Sequence, residues 1–122
     1  MDIEGVATVL PVDDVAAAAE VWAALLGVAP TFVDADRWAQ FDVAGRRIAL
    51  AGRDRASDRA GVMLKVADLD AARARAEQQG LVVGPSEQGP HEVRCVIEGP
   101  GGWPIILYAP AGARDRRRCQ TS

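Results

Sequence analysis

An α+β fold built from two tandem βαβββ modules is predicted for this chain by three observations. The first is a repeat. The stretch Ala44-Gly45-Arg46-Arg47-Ile48-Ala49-Leu50-Ala51 is a fainter copy of Gly101-Gly102-Trp103-Pro104-Ile105-Ile106-Leu107-Tyr108, and setting Gly102 on Gly45 puts Ile105 on Ile48 and Leu107 on Leu50. The second is that each half opens with an apolar strand, then an aspartate able to cap a helix, then a helix that a glycine ends. The third is that the remaining apolar residues fall in short alternating runs bounded by glycine or proline, the pattern of half-buried strands.

In chain order, Val6-Ala7-Thr8-Val9-Leu10-Pro11-Val12 reads as a β-branched strand with Pro11 near its end. Asp13 or Asp14 can then accept a backbone N–H at the start of a helix running to Leu26. On that helix Val15, Ala18, Val21, Trp22, Leu25 and Leu26 recur at three- and four-residue steps. Gly27 is the stop. Strands are expected at 31–33, 37–43 and 46–50, the last entered through the Gly45 turn. Residues 52–60 are polar, charged and glycine-bounded, which marks a linker.

The second half repeats the order. Val62-Met63-Leu64-Lys65-Val66 is a strand, Asp68 a cap, and 69–79 a helix closed by Gly80. Setting Val12 on Val66 puts Asp14 on Asp68 and Val15 on Leu69. Strands follow at 81–83, 92–97 and 104–108, and the stretch 84–90, with two prolines and two glycines, reads as a loop.

A chain of 122 residues fits one domain, 1–110, with modules at about 5–51 and 60–110 and a linker at 52–59. The segment 111–122 has almost nothing apolar to bury and is read as a disordered basic tail. Formal charge is −3. Arg114, Arg116, Arg117 and Arg118 against Asp115 put +3 in the tail, so the body carries −6, that is −3 less +3. An acidic body argues against nucleic acid as a partner and is compatible with a cationic ligand. No run is apolar enough for a membrane span, and no basic region followed by an apolar run starts the chain. Cys95 and Cys119 sit in a strand and a tail, so pairing is not expected and a reducing cytoplasm is the simpler setting. Abundant Ala, Arg and Gly suggest a GC-rich bacterial source.

Two βαβββ halves with a D-x-x-A-type helix start and a G-x-P-I-x-L-type last strand resemble the vicinal oxygen chelate superfamily, the group of glyoxalases, bleomycin resistance proteins and extradiol dioxygenases. The resemblance spans about Val6 to Pro110. It implies that each half curls into an open sheet with its helix on the convex side, and that the concave side makes the active site or pocket. Metal-dependent members hold one divalent ion with His, Glu or Gln from the first and last strands of each half. Carried over, those positions are Ala7 and Gly61 on the first strands and Ala49 and Ile106 on the last, and none has a side chain that can donate an electron pair. The aspartate of the family's D-P-x-G turn is Gly99 here. The resemblance therefore implies a branch with no metal and no other cofactor.

Strand parity adds an independent expectation. Leu10, Val12, Ile48, Leu50, Leu64, Val66, Ile105 and Leu107 share one face, which must pack on the helices. The opposite face reads Ala7, Val9, Ala49, Ala51, Gly61, Met63, Ile106 and Tyr108, broken by Arg47 and Lys65. It is also largely apolar, so the other half, a second subunit or a ligand must cover it. Ala7, Ala49 and Gly61 leave room for a guest, and Trp38, Trp103 and Tyr108 offer flat walls. Arg47, Lys65 and Arg94 either orient a ligand or are merely exposed.

These readings converge on a homodimeric, cytoplasmic protein that sequesters a small hydrophobic or aromatic compound such as an antibiotic. Trp38, Gln40, Met63, Trp103, Ile106 and Tyr108 are the expected ligand-binding residues, with no catalytic residue and no metal ligand. Two alternatives stay open. One is a metal-independent enzyme, isomerase- or lyase-like, using Asp42, Glu98 or His91 as acid or base. The other is a protein-interaction module. Cys95 is expected to be a small buried thiol, and Trp22 to be core.

Overall fold

The computed structural model describes residues 3–89 and 92–110. His91 and the 111–122 tail lie outside the described residues. The elements are β1 (Ile3–Pro11), α1 (Val15–Leu26), β2 (Phe32–Asp34), β3 (Trp38–Val43), β4 (Arg46–Ala51), β5 (Gly61–Val66), α2 (Leu69–Gln78), β6 (Val82–Val83), β7 (Glu87–Gln88), β8 (Glu92–Glu98) and β9 (Pro104–Pro110). Two strand–helix–strands halves are thus present in the expected order.

Both helices start and stop on the residues that local chemistry selects. The Asp14 carboxylate accepts from the Ala17 N–H at 3.0 Å, and Asp68 accepts from Ala71 at 3.1 Å, each filling an orphan donor of the first turn. Gly27 closes α1 in the left-handed region at φ 73°. On α1, however, Val21 and Leu25 are 59% and 72% exposed. The inward stripe is the buried Val15 with the partly buried Ala18, Ala19, Trp22, Ala23 and Leu26, which corrects the expected stripe and keeps Trp22 packed on the core.

Among the described residues the strands form one sheet in the order β2-β3-β4-β1-β5-β9-β8-β6, with β7 paired to β8. In each half the first strand runs parallel to the last, β1 with β4 and β5 with β9. Such a parallel pair needs a crossover, which the intervening helix and strands provide. The halves join edge to edge through antiparallel β1 and β5, where Thr8 faces Val62. With Val12 set on Val66, Val62 is the copy of Thr8, so a pseudo-two-fold axis passes through that pair. The sheet curls into a half-barrel.

The helices cover one face of this sheet. Val15 and Trp22 of α1 pack with Phe41 and Leu50, and Leu69, Ala72 and Ala76 of α2 pack with Val66, Cys95, Ile97 and Leu107. The opposite face holds a separate cluster of Ala7, Val9, Ala49, Ala51, Met63 and Ile106. The two parities predicted from alternation are therefore the two faces of the sheet.

Two further details differ from expectation. Glu87 and Gln88, read as loop, form the short strand β7 against Val93 and Arg94. Gly61 does not make room for a guest: a Cβ built there runs into the Pro104 carbonyl oxygen, so glycine is required by the close approach of β9.

Candidate functional site

The concave face can be read row by row from the ladder. One row across β3, β4, β1 and β5 is Gln40, Ala49, Val9 and Gly61. The next, across β4, β1, β5, β9 and β8, is Arg47, Ala7, Met63, Ile106 and Val96. A third, across β5, β9 and β8, is Lys65, Tyr108 and Arg94. Apolar rows thus give way to a polar one toward one end of the face.

From these rows Gln40, Val9, Met63, Ile106, Lys65, Tyr108 and Arg94 line a cavity of about 310 Å³. Val9, Ala51, Met63 and Ile106 make its floor, each less than a tenth exposed. Trp38 stands on one side, with its indole N–H donating to the Gln40 Oε1 at 2.9 Å, and Tyr108 stands on the other. The linker supplies a further wall through Arg53, Asp54, Arg55, Ala56 and Ser57. Arg94 Nη2 donates to the Asp54 carbonyl at 2.7 Å, and Arg55 Nη1 donates to the Val12 carbonyl at 3.1 Å. Ion pairs of Arg53 with Asp36 at 3.0 Å and of Arg37 with Asp54 at 3.5 Å tie the same segment to the turn between β2 and β3.

Five of the six expected binding residues, Trp38, Gln40, Met63, Ile106 and Tyr108, meet in this cavity wall. Trp103 does not. It follows a tight 3-10 turn in which Gly101 and Gly102 both have positive φ, and it projects to solvent, 64% exposed. The expectation of a pocket wall at Trp103 is corrected accordingly. Phe32 and the linker residues join the wall without having been singled out. Phe32 could have been found by parity, since it pairs with Gln40. The linker could not, because nothing local says where an irregular segment folds back.

The titratable groups separate by face. Burial pushes the Tyr108 hydroxyl above its ordinary value, with Arg47 pulling weakly the other way, so the group stays a neutral phenol at neutral pH. Cys95 is 1% exposed on the helix-covered face, and burial pushes its thiol up, away from nucleophilic thiolate. Asp42 is tied by Arg47 at 2.8 Å and by the Thr31 hydroxyl at 2.6 Å, bonds that hold its carboxyl below the usual value. Neither Asp42 nor Glu98 lines the cavity; Glu98 is exposed at the end of β8, opposite Pro104.

The positions that the resemblance assigns to metal ligands fall on the same face. Ala7, Ala49 and Ile106 are buried in its apolar cluster, and Gly61 packs on Pro104. Among the described residues no group of three or more His, Cys, Asp or Glu converges so as to hold a metal ion. With methyl and branched aliphatic groups at these positions, the donor set does not fit a divalent cation.

A family model described as glyoxalase/bleomycin resistance protein/dioxygenase superfamily matches residues 6–107. No curated protein matches the chain. Among solved structures, the chain is similar to an NAD-dependent benzaldehyde dehydrogenase from Legionella pneumophila, with TM-score 0.78 and 15% identity over 86% of this chain and 98% of that one. It is similar to methylmalonyl-CoA epimerase from Mycobacterium tuberculosis, with TM-score 0.62 and 20% identity over 93% of each chain. A glyoxalase/bleomycin resistance protein/dioxygenase superfamily member from Vibrio splendidus gives TM-score 0.62 and 13% identity over 85% of this chain and 97% of that one. At these identities the likeness is one of fold. No helix of the described residues is long and apolar enough to cross a membrane.

Proposed function

Since the chain belongs to the glyoxalase/bleomycin resistance protein/dioxygenase superfamily over residues 6–107, we propose that it captures a flat hydrophobic or aromatic small molecule, of the antibiotic type, in its concave cavity. Capture rests on stacking and burial, without metal coordination. The observation that carries this reading is the apolar floor of Val9, Met63 and Ile106 in the same curved face as the aliphatic positions Ala7 and Ala49.

The cavity's size and lining support it. At about 310 Å³ it lies at the lower end of the range of roughly 300–1,000 Å³ that small-molecule sites occupy. The apolar floor suits the flat part of such a molecule, and the charged side chains of the walls can orient it. Of the acid–base candidates for a metal-independent enzyme, Asp42 and Glu98 stand outside the wall, and His91 lies outside the described residues.

A thermal-shift panel tests it, with flat aromatic compounds in one arm and divalent metals in the other. A compound at about a hundred times its dissociation constant adds roughly 2.7 kcal/mol, a shift of several degrees for a domain of this size. The expected result is such a shift from an aromatic compound, lost in Trp38→Ala, and none from metals. Stabilisation by a metal at low concentration, or an aromatic shift that survives Trp38→Ala unchanged, overturns the reading.

A further inference from the structure

The cavity wall holds one cation without a counter-charge, although the body around it is acidic. The body sums to −6, the total of −3 less the +3 of the tail. Among the described residues, the cavity wall carries five basic side chains; Arg37, Arg53, Arg55 and Arg94 each have a carboxylate within ion-pair distance, and Lys65 has none. The acidic composition taken alone is compatible with a cationic guest; an unpaired lysine in the wall is complementary to an anionic one.

Lys65, Tyr108 and Arg94 are direct neighbours across β5, β9 and β8. Adjacent strands lie about 4.8 Å apart, so the two cationic residues flank the phenol at roughly 10 Å from one another. Arg94 is oriented by its bond to the Asp54 carbonyl at 2.7 Å and a 3.5 Å contact with Glu92, and its Nε is buried with no partner. Lys65 is half-buried and, among the described residues, has neither a carboxylate within ion-pair distance nor a hydrogen bond. Opposite it on β1 stands Gly5, which leaves the space beside the lysine stem open. An ammonium with no counter-charge beside it is a ready partner for an anion that enters. The Tyr108 phenol between the two cations can donate to the same anion.

We infer that the cavity selects an organic acid: its flat apolar part over Val9, Met63 and Ile106, and its carboxylate on the Lys65–Tyr108–Arg94 row. This rests on the capture reading above and narrows it from any flat hydrophobic molecule to one bearing a negative charge at one end. Lys65 is the anchor, because its charge is the one left uncompensated in the wall.

Isosteric probes separate this inference from the reading beneath it. Calorimetric titration of the full chain with naphthalene-2-carboxylate, naphthalene-2-carboxamide and 2-naphthylmethylammonium compares anion, neutral and cation on one ring. The wild-type protein is expected to bind the carboxylate at least ~10-fold more tightly than the amide, about 1.4 kcal/mol, and the ammonium least. Lys65→Met brings the carboxylate-to-amide ratio close to one, and Lys65→Arg keeps most of it. Equal binding of carboxylate and amide by the wild type, or a preference for the ammonium, overturns this inference and leaves capture standing. Absence of binding by all three at millimolar concentration overturns both. A ratio unchanged in Lys65→Met, with circular dichroism showing the variant folded, overturns the assignment of the anchor.

Discussion

The indole N–H of Trp38 donates to the side-chain oxygen of Gln40 at 2.9 Å, two residues along the same strand. Residues i and i+2 share a strand face, so the bond satisfies the one polar atom of the ring without leaving the concave side. It fixes the ring beside the cavity floor. Gln40→Leu keeps the volume but leaves a half-buried donor unpaired, and is expected to cost about 1 kcal/mol in urea unfolding. It should also weaken binding of a flat ligand several-fold. Unchanged stability and affinity would mean that the bond does not hold the ring.

The β3–β4 hairpin turns through Ala44 at φ 51° and Gly45 at φ 76°. Two consecutive positive φ angles define the turn in which Asn-Gly is favoured, and alanine is a poor occupant of its first position. Ala44 is exposed, so Ala44→Asn loses no packing. It should raise stability by about 0.5–1 kcal/mol, seen as a melting temperature higher by a few degrees. A lower melting temperature would contradict the turn assignment.

Gly61→Ala tests the close approach of β5 and β9. A Cβ at this position meets the backbone oxygen and ring of Pro104, neither of which is a flexible side-chain end. The substitution is expected to cost about 2–4 kcal/mol, as overpacking against rigid neighbours does. A cost below 0.5 kcal/mol would show that the strands can separate there.

Asp42 joins Thr31, before β2, to Arg47 on β4. Those bonds lower its pKa from the ordinary 3.8. A depressed carboxylate contributes stability that is present above the unfolded value and is lost as pH falls through the folded one. Asp42→Asn should therefore be less stable than wild type at neutral pH, with a flatter decline in acid, so that the two curves converge below about pH 3. Denaturant midpoints across that range check it, and parallel curves would contradict the sign.

Much of this architecture was legible because its signals are local. Asp14, Gly27 and Asp68 announce their helix ends, and period-two alternation sorts Leu50 from Ala49 and Leu107 from Ile106 onto opposite faces. The stripe on α1 was misplaced because alanine carries little weight in a periodicity. Ala19 and Ala23 are the inward residues, yet Val21 and Leu25 outweigh them in the sequence. Trp103 was misplaced because the positive φ angles of Gly101 and Gly102, not strand parity, set its direction. Lys65, Tyr108 and Arg94 could each be given a face from sequence. Their meeting in one row depended on the register of β5, β9 and β8, which is set by contacts across the whole second half.

Whether a flat ligand sits in the concave cavity can be read from the three tryptophans in one measurement. Trp38 borders the cavity, Trp22 packs under α1 on the opposite face, and Trp103 projects to solvent. Their indole N–H resonances report from three places at once. In a 15N-resolved NMR titration with naphthalene-2-carboxylate, the Trp38 indole signal is expected to shift with saturation while those of Trp22 and Trp103 stay in place. Saturable movement of the Trp103 or Trp22 signal with Trp38 unmoved would contradict it.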